Sequence, residues 1–374
     1  MSASGEAFPL RQLYFYLTQG CNQACRHCWL APKLDPSGDR YPVLPVEAFE
    51  QAVQEALPLG LSSVKLTGGE PLLHPAILEL VDTVKRFKVG LAVETNGLLC
   101  TDKVAAALAE VPGAFVSVSL DGAGAATHDC IRGVPGSFDL ATRAVQRLAA
   151  VGMRPQVIMS LFPDNVDQIE AMVRLAEKLG AGSVKFNVVQ PTARGERLYK
   201  RGETLGIGQL LELGHFVERE LAPSSELLLF FDYPLAFRPL SRISETPGVA
   251  GVCGILGILG VLATGDYALC GIGEHVRDLV FGRVGRDPLE QVWRTHPILC
   301  ELRAGLPDRL HGICGRCLMK HRCLGSCIAQ NYLRSQELWA PNWFCELAEG
   351  EGFFPGSRKY DLLDSEQVSR GGRR

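Results

Sequence analysis

The stretch TQGCNQACRHCWL, residues 18–30, places Cys21, Cys25 and Cys28 on one short loop with C-x3-C-x2-C spacing. Thiolates at such spacing hold soft metals, and an iron–sulfur cubane takes one cysteine per iron. A cubane has four irons, so three cysteines leave one iron with an open position for a small molecule. Two other readings stay open on this motif alone: a zinc site completed by His27, and a partial redox motif. The chain carries 13 cysteines in 374 residues. Its N-terminus, MSASGEAFPLRQ, lacks the basic start and apolar core of a secretory signal, so a cytoplasmic location is expected. Thiols stay reduced there, and clustered ones read as metal ligands.

A second group of cysteines lies in the last third of the chain, at Cys253, Cys270, Cys314, Cys317, Cys323, Cys327 and Cys345. The C-x2-C-x5-C within it could by itself be a zinc site. Cys100, Cys130 and Cys300 fit no motif and are assigned to packing, with Cys130 singled out because it adjoins Arg132. Between the two groups lie several short polar segments. In LTGGEPLL, Gly68 and Gly69 allow close backbone approach to a ligand, Glu70 offers a carboxylate to an ammonium group, and Pro71 follows. ETNG supplies Thr95 and Asn96, and SVSLDG supplies Ser119 and Asp121. Arg132 in HDCIRG offers a fork for a carboxylate, with a surface arginine as the other reading. His27 and His128 read as polar loop fillers. Carboxylates such as Asp121 could act as bases, without a ranking among them.

These segments need elements to position them. From residue 11 to about 190 strand and helix patterns alternate. RQLYFYLT, SVKLTG, GLAVETNG, AFVSVSLDG, RPQVIMSL and SVKFNVV read as strands. Helices are expected between them, as in VEAFEQAVQEAL with Val46, Phe49, Val53 and Leu57 on one face. A further helix is expected over about 207–221. Six βα units with short links require parallel strands and crossover helices. A doubly wound sheet and a barrel both satisfy this. Polar or glycine-rich groups follow strands one, two, three, four and six, and a barrel gathers all of those on one face, whereas an open sheet gathers only those near its switch point. The expected fold is therefore α/β, a partial (βα)6 TIM-like barrel over 1–225. A cysteine-rich module folded around metal is expected over 226–360, and a frayed charged tail over 361–374. The net charge of −3 gives no steering toward nucleic acid or anionic lipid. VCGILGILGVLA, 252–263, is too short and glycine-rich to span a bilayer.

The C-x3-C-x2-C loop after a first strand, Trp29 after the third cysteine, and GGEP after the second strand together resemble radical S-adenosylmethionine (SAM) enzymes. The resemblance implies a [4Fe–4S] cluster on Cys21, Cys25 and Cys28, with SAM chelating the open iron. Its reductive cleavage would give a 5′-deoxyadenosyl radical that abstracts hydrogen. It also implies that Gly68, Gly69, Glu70 and Pro71 meet the SAM amino group, that Thr95, Asn96, Ser119 and Asp121 lie near the ribose or substrate, and that Arg132 takes the SAM carboxylate. VVQPTARG, 188–195, looks like segments that touch the adenine or substrate. The late cysteines resemble a SPASM domain with two auxiliary [4Fe–4S] clusters. By that pattern Cys314, Cys317, Cys323 and Cys345 hold the outer cluster, and Cys253, Cys270 and Cys327 the inner one. Fully ligated members have an eighth cysteine that this chain lacks between Cys253 and Cys270. A substrate thiolate, Asp266 or solvent would fill the fourth place, and an open site that binds substrate sulfur is the expectation.

SPASM-bearing relatives mostly modify peptides or proteins. The resemblance thus implies a maturase of a ribosomally made peptide, forming a thioether or carbon–carbon crosslink. The implied partners are a peptide or protein substrate and an electron donor of flavodoxin or ferredoxin type. The first motif starts at residue 21, so no leader-binding domain is expected in front of it. A separate protein is expected to bind the leader, unless leader binding is dispensable. An anaerobic sulfatase-type formylglycine maturase and a tetrapyrrole-modifying enzyme are the enzymatic alternatives. An iron–sulfur electron carrier and a zinc-binding adaptor are the non-enzymatic ones.

Overall fold

Alternation sets the character of every barrel strand. In β1 (Gln12–Tyr16), Leu13 and Phe15 are fully buried on one face while Gln12 and Tyr14 are half-buried on the other. The same pattern recurs in β2 (Ser63–Thr67), with Val64 and Leu66 out toward the helices and Lys65 inward. It recurs in β3 (Gly90–Thr95), with Leu91 and Val93 outward and Glu94 inward. Side chains alternate across a strand, so the apolar row packs under the helix layer and the polar row lines the inside. This inverts the usual closed barrel, whose interior is filled by branched apolar residues. An interior lined by polar groups stays open as a cavity.

The computed structural model describes residues 8–245 and 253–360. Strands β4 (Phe115–Ser119), β5 (Gln156–Leu161) and β6 (Ser183–Val188) complete the expected six, and all pair in parallel. The crossover helices are α1 (Val46–Ala56), α2 (Ile77–Phe87), α3 (Asp102–Ala109), α4 (Ala125–Arg132), α5 (Ser137–Ala150) and α6 (Ile169–Leu179). Thr101 caps α3 by accepting from the Val104 N–H at 3.3 Å. Gly152 and Gly180, both with positive φ, follow α5 and α6. The partial barrel expected from the alternation is thus present.

Four features differ from the sequence reading. Leu57 is 37% exposed, because α1 tightens into a 3-10 turn that Gly60 ends with φ +103°. The segment around Arg132 is a helix, α4, rather than a loop. A helix α7 (Arg194–Lys200) also follows the sixth strand, before α8 (Ile207–Phe216) and its π-turn over Val217–Leu221. The sheet also continues past residue 225. β7 (Leu228–Phe231) pairs with β6, and β8 (Ile258–Val261) pairs in parallel with β1, in register from Gln12↔Ile258 to Phe15↔Val261. Antiparallel β9 (Asp266–Ala268) and β10 (Val280–Arg283) extend that edge, giving ten strands in the order β10-β9-β8-β1-β2-β3-β4-β5-β6-β7. Within the apolar run, Ile258–Val261 is thus a buried strand. No helix among the described residues is long and apolar enough to cross a membrane. The remainder is short helical turns plus two helices, Ile328–Ser335 and Trp343–Gly350. Phe237 contacts both Phe344 and Phe354 edge-on, with centroids 5.3 and 5.5 Å away. The tail assigned to 361–374 lies outside the described residues.

Candidate active site at the mouth of the barrel

The C-terminal ends of the strands converge on one cavity of about 420 Å³. Cys21, Cys25 and Cys28 line it together with Glu70, Asn96 and Arg132. So do Gly68, Gly69, Thr95 and Ser119. The loop that carries the thiols is held by backbone. Glu70 N–H donates to Gly20 O at 3.0 Å, and Asp35 N–H donates to Cys21 O at 2.8 Å. On the far side Ala24 N–H and Arg26 N–H donate to the carbonyls of Arg132 and Ile131 at the end of α4. The glycines of GGEP explain how the loop comes so close. A Cβ on Gly69 would lie 1.8 Å from Gly20 O, and Gly68 has φ +126°. Their close approach is therefore first to the cysteine loop, and they face the cavity as well.

Glu70 is 1% exposed, and its carboxylate ties two strand ends together. Oε1 accepts from the Leu72 N–H at 3.0 Å and the Thr95 hydroxyl at 2.6 Å, while Oε2 accepts from the Asn96 N–H at 2.8 Å. Three of about four acceptor positions are filled from within the chain. Burial pushes its pKa up to about 6 against these three donors. Asn96 in turn donates to Asn22 Oδ1 at 2.7 Å, which links β3 to the thiol loop. Pro71 is buried at the start of a short 3-10 turn behind Glu70.

Asp121 departs from its expected role, and it holds Arg132. Asp121 is fully buried and does not line the cavity; it lies behind Arg132, with Nε 2.7 Å from Oδ2. Its other oxygen accepts from the Ser160 N–H at 2.7 Å. Burial alone would raise the Asp121 pKa, but the guanidinium and the neighbouring donors outweigh it and hold it below the usual carboxylate range. Burial likewise works against the Arg132 charge, which Asp121 and the Cys25 sulfur, 3.5 Å from Nη1, sustain. Asp121 is thus a positioning group rather than a base or ribose contact, and Arg132 reaches the cavity already anchored. His27, read as a filler, lines the cavity with Nε2 3.1 Å from the Ser160 hydroxyl, and burial lowers its pKa to about 4. His128 accepts from the Asp121 N–H at 3.2 Å, a structural contact.

Deeper in, Lys65 pairs with Glu94 at 2.5 Å and lies over the Tyr14 ring at 4.9 Å. Lys185 lies 3.7 Å from Asp232. Sequence reading missed Lys65, Glu94, Lys185 and Ser160. For the three charged residues the signal was present: a charged side chain beside an apolar one, as in VKL, VET and VKF, inside a strand buried on its other face.

Electrostatic coupling divides the clustered thiols into three sets. Burial, then Glu70, then the neighbouring thiols raise Cys21, and burial raises Cys25 despite Arg132. Burial and the mutual influence of Cys253, Cys270 and Cys327 raise Cys253, and Tyr14 is raised by burial and by the same three thiols. Cys314 and Cys345 act on each other, Cys314 being lowered and Cys345 raised, and Cys323 is pushed up to about 12 by burial and by Cys314 and Cys317. Thiols crowded in this way resist ionisation unless a cationic group accompanies them. Among the described residues no three His, Cys, Asp or Glu side chains are arranged to hold a single metal ion. Gln23 Nε2 and Asn187 Oδ1 line the same cavity, buried and without partners. The donor set therefore fits an iron–sulfur group with a polar ligand beside it. Asp266 is committed to Arg283 at 2.7 Å and to Thr264, so it is not a free fourth ligand for the Cys253 set. Of the three unassigned cysteines only Cys100 is buried; Cys130 and Cys300 are exposed, which corrects their assignment to packing.

Residues 15–176 match the Radical SAM superfamily. The chain is 30% identical to the mycofactocin maturase MftC of Mycobacterium ulcerans (strain Agy99), over 89% of this chain and 87% of that one. It is 25% identical to the AdoMet-dependent heme synthase of Methanosarcina barkeri (strain Fusaro / DSM 804), over 91% and 97%. Its fold superposes on the crystal structure of Streptococcus suis SuiB bound to precursor peptide SuiA with a TM-score of 0.72. That match has 18% identity and covers 91% of this chain and 76% of that one. The cysteine loop, the GGEP turn and the barrel they cap are therefore those of a family member: the chain belongs to the radical SAM superfamily, as an enzyme of maturase type.

Proposed function

We propose that the enzyme matures a ribosomally made peptide, abstracting a hydrogen from it and forming a thioether or carbon–carbon crosslink. The observation that carries this reading is the similarity to a maturase along nearly the whole length of both chains. Cys21, Cys25 and Cys28 would hold a [4Fe–4S] cluster, with SAM on its open iron. Bound there, the two supply a 5′-deoxyadenosyl radical as hydrogen acceptor. Arg132 would present its remaining N–H groups to the SAM carboxylate, held in place by Asp121. Glu70, Thr95 and Asn96 would fix the strand ends around the amino group and ribose. Lys65, Glu94 and Lys185 would line the floor on which the substrate rests and exclude bulk water from the radical.

The seven late cysteines would hold two auxiliary [4Fe–4S] clusters: Cys314, Cys317, Cys323 and Cys345 on the outer one, and Cys253, Cys270 and Cys327 on the inner one. The coupling of the thiols in those sets supports the division. The inner cluster would keep a place for a substrate sulfur. A flavodoxin- or ferredoxin-type donor, a separate leader-binding protein and a cytoplasmic setting complete the proposal. Its functional division runs near residue 225, although the sheet is continuous across that point.

The test is anaerobic reconstitution with iron and sulfide, followed by incubation with SAM, a reductant and precursor peptides encoded beside the gene. Formation of 5′-deoxyadenosine with a mass loss of hydrogen from a peptide is expected. Similarity to a heme synthase supports a second reading, action on a tetrapyrrole precursor. Turnover of a porphyrin carboxylate, with every peptide left unchanged, would establish that reading and discard the first.

A further inference from the structure

Three surface cavities continue the barrel cavity outward, each sharing walls with the next. The barrel cavity meets the first, of about 430 Å³, at Leu30, Gly68 and Gly69. The first meets the second, of about 550 Å³, at Ala31, Pro32, Lys33 and His275. The second meets the third, of about 530 Å³, at Ala193, Glu196, Lys200 and His275. Trp343, Leu347 and Arg334 line its outer part. One wall is thus the extension of the cysteine loop, the other is the entry to α7, and the cysteine-rich module closes the far end. His275 touches all three cavities, and its Nε2 is 3.1 Å from Trp29 O.

Charge separates this groove from the rest of the surface. Lys33, Arg194, Arg197, Lys200 and Arg334 line it against Glu196 and Glu274, in a chain whose net charge is −3. Lys200 pairs with Glu196 at 2.5 Å. Lys33, Arg197 and Arg334 are exposed and make no ion pair among the described residues. Arg194 joins the walls, donating to Cys25 O at 3.0 Å and Pro32 O at 2.6 Å. Ala31 and Ala193, one on each wall of the middle cavity, have φ of +46° and +49°, a region L-residues rarely adopt. Such strain persists where the surroundings hold a segment in a required shape. A groove with surplus positive charge attracts and orients an anionic chain.

We propose that an acidic stretch of the peptide substrate lies extended in this groove, with its carboxylates on Lys33, Arg197 and Arg334, and feeds the reacting residue past Gly68 and Gly69 into the barrel. This rests on the peptide-maturase reading and adds the kind of peptide. Arg194 connects the groove to the cysteine loop, so an occupied groove and the reacting centre share a wall.

The experiment uses the anaerobically reconstituted full chain with SAM. The probes are a fluorescein-labelled Gly/Ser peptide carrying several Asp residues and its Asp→Asn counterpart, followed by anisotropy at rising salt. The Asp peptide is expected to bind about tenfold tighter at low salt, an advantage that shrinks as salt screens it. Lys33→Glu/Arg197→Glu/Arg334→Glu is expected to erase that preference. Lys33→Arg/Arg197→Lys/Arg334→Lys is expected to keep it, and iron content and thermal midpoint report whether each variant is folded. Equal binding of the two peptides by the wild type, or an Asp preference that survives charge reversal in a folded variant, overturns the groove and leaves the maturase reading standing. Failure of both peptides to bind likewise overturns the groove, and the maturase reading stands or falls on the turnover of precursor peptides.

Discussion

The two thiol-bearing regions are built on opposite plans. The loop of Cys21, Cys25 and Cys28 is clamped by backbone hydrogen bonds to GGEP, to the end of α4 and to the Asp35 turn, all resting on a ten-stranded sheet. Remove the sulfurs and those bonds remain. The region of Cys314, Cys317, Cys323 and Cys345 consists of short helical turns and the eight-residue helix Trp343–Gly350, and Cys314, Cys317 and Cys345 are themselves part of its buried core. The first region presents thiols on a scaffold that exists without them. In the second, on the proposed ligation, the thiols and the clusters on them would be the scaffold, as in small metal-folded domains.

The largest effects test that contrast directly. Cys21/Cys25/Cys28→Ala is expected to abolish SAM cleavage, to lower iron from ~12 to ~8 per chain, and to leave the thermal midpoint nearly unchanged. Cys314/Cys345→Ala is expected to unfold the C-terminal region, seen as protease cleavage within 310–350 while the barrel stays intact. An undisturbed C-terminal region in the second variant would erase the difference between the two plans.

Next in size is the buried ion pair that supports the first region. Arg132→Met leaves Asp121 charged, fully buried and unpaired, so a loss of 3–5 kcal/mol is expected in denaturant unfolding, by the usual cost of breaking such a pair, roughly. The Asp121→Asn/Arg132→Met double variant is expected to recover part of that stability but not SAM cleavage, because the carboxylate fork is gone. Equal losses in both variants would mean that the pair is not what positions the loop. Gly69→Ala follows: its Cβ would lie 1.8 Å from Gly20 O, so the cysteine loop must shift. About 1–3 kcal/mol of destabilisation is expected, together with slower SAM cleavage at unchanged C-terminal protease resistance.

How far the sequence led follows from the same contrast. The barrel was legible because its strands alternate and its helices repeat with regular spacing, and the three thiols were legible because their spacing is local. Arg132 was legible as a residue but not as the end of a helix, since HDCIRG is short and polar. Asp121 was misjudged because no local pattern tells a carboxylate that faces a cavity from one buried behind an arginine. β7 and β8 were missed because four apolar residues carry no period of their own. β8 becomes a strand only through pairing with β1, more than 240 residues away in the chain.

The smallest effect separates the regions by pH. Asp129 accepts from the Gly136 and Phe138 N–H groups at 2.6 and 2.8 Å and so caps α5 from the end of α4. Partial burial opposes its charge, but these donors outweigh it and hold its pKa below the usual carboxylate value. A depressed carboxylate contributes stability that is fully present above the unfolded value, ~3.9, and is lost as pH falls through the folded value. Asp129→Ala is therefore expected to cost about 1 kcal/mol near neutral pH, as loss of a helix cap does. That gap to wild type should close as the pH is taken below ~4. If the C-terminal thiols hold clusters as proposed, that region is expected to loosen as acid competes for their sulfurs, at a pH that Asp129→Ala does not move. A single transition shared by both regions, shifted as a whole by Asp129→Ala, would show that the barrel and the thiol-built region unfold as one unit.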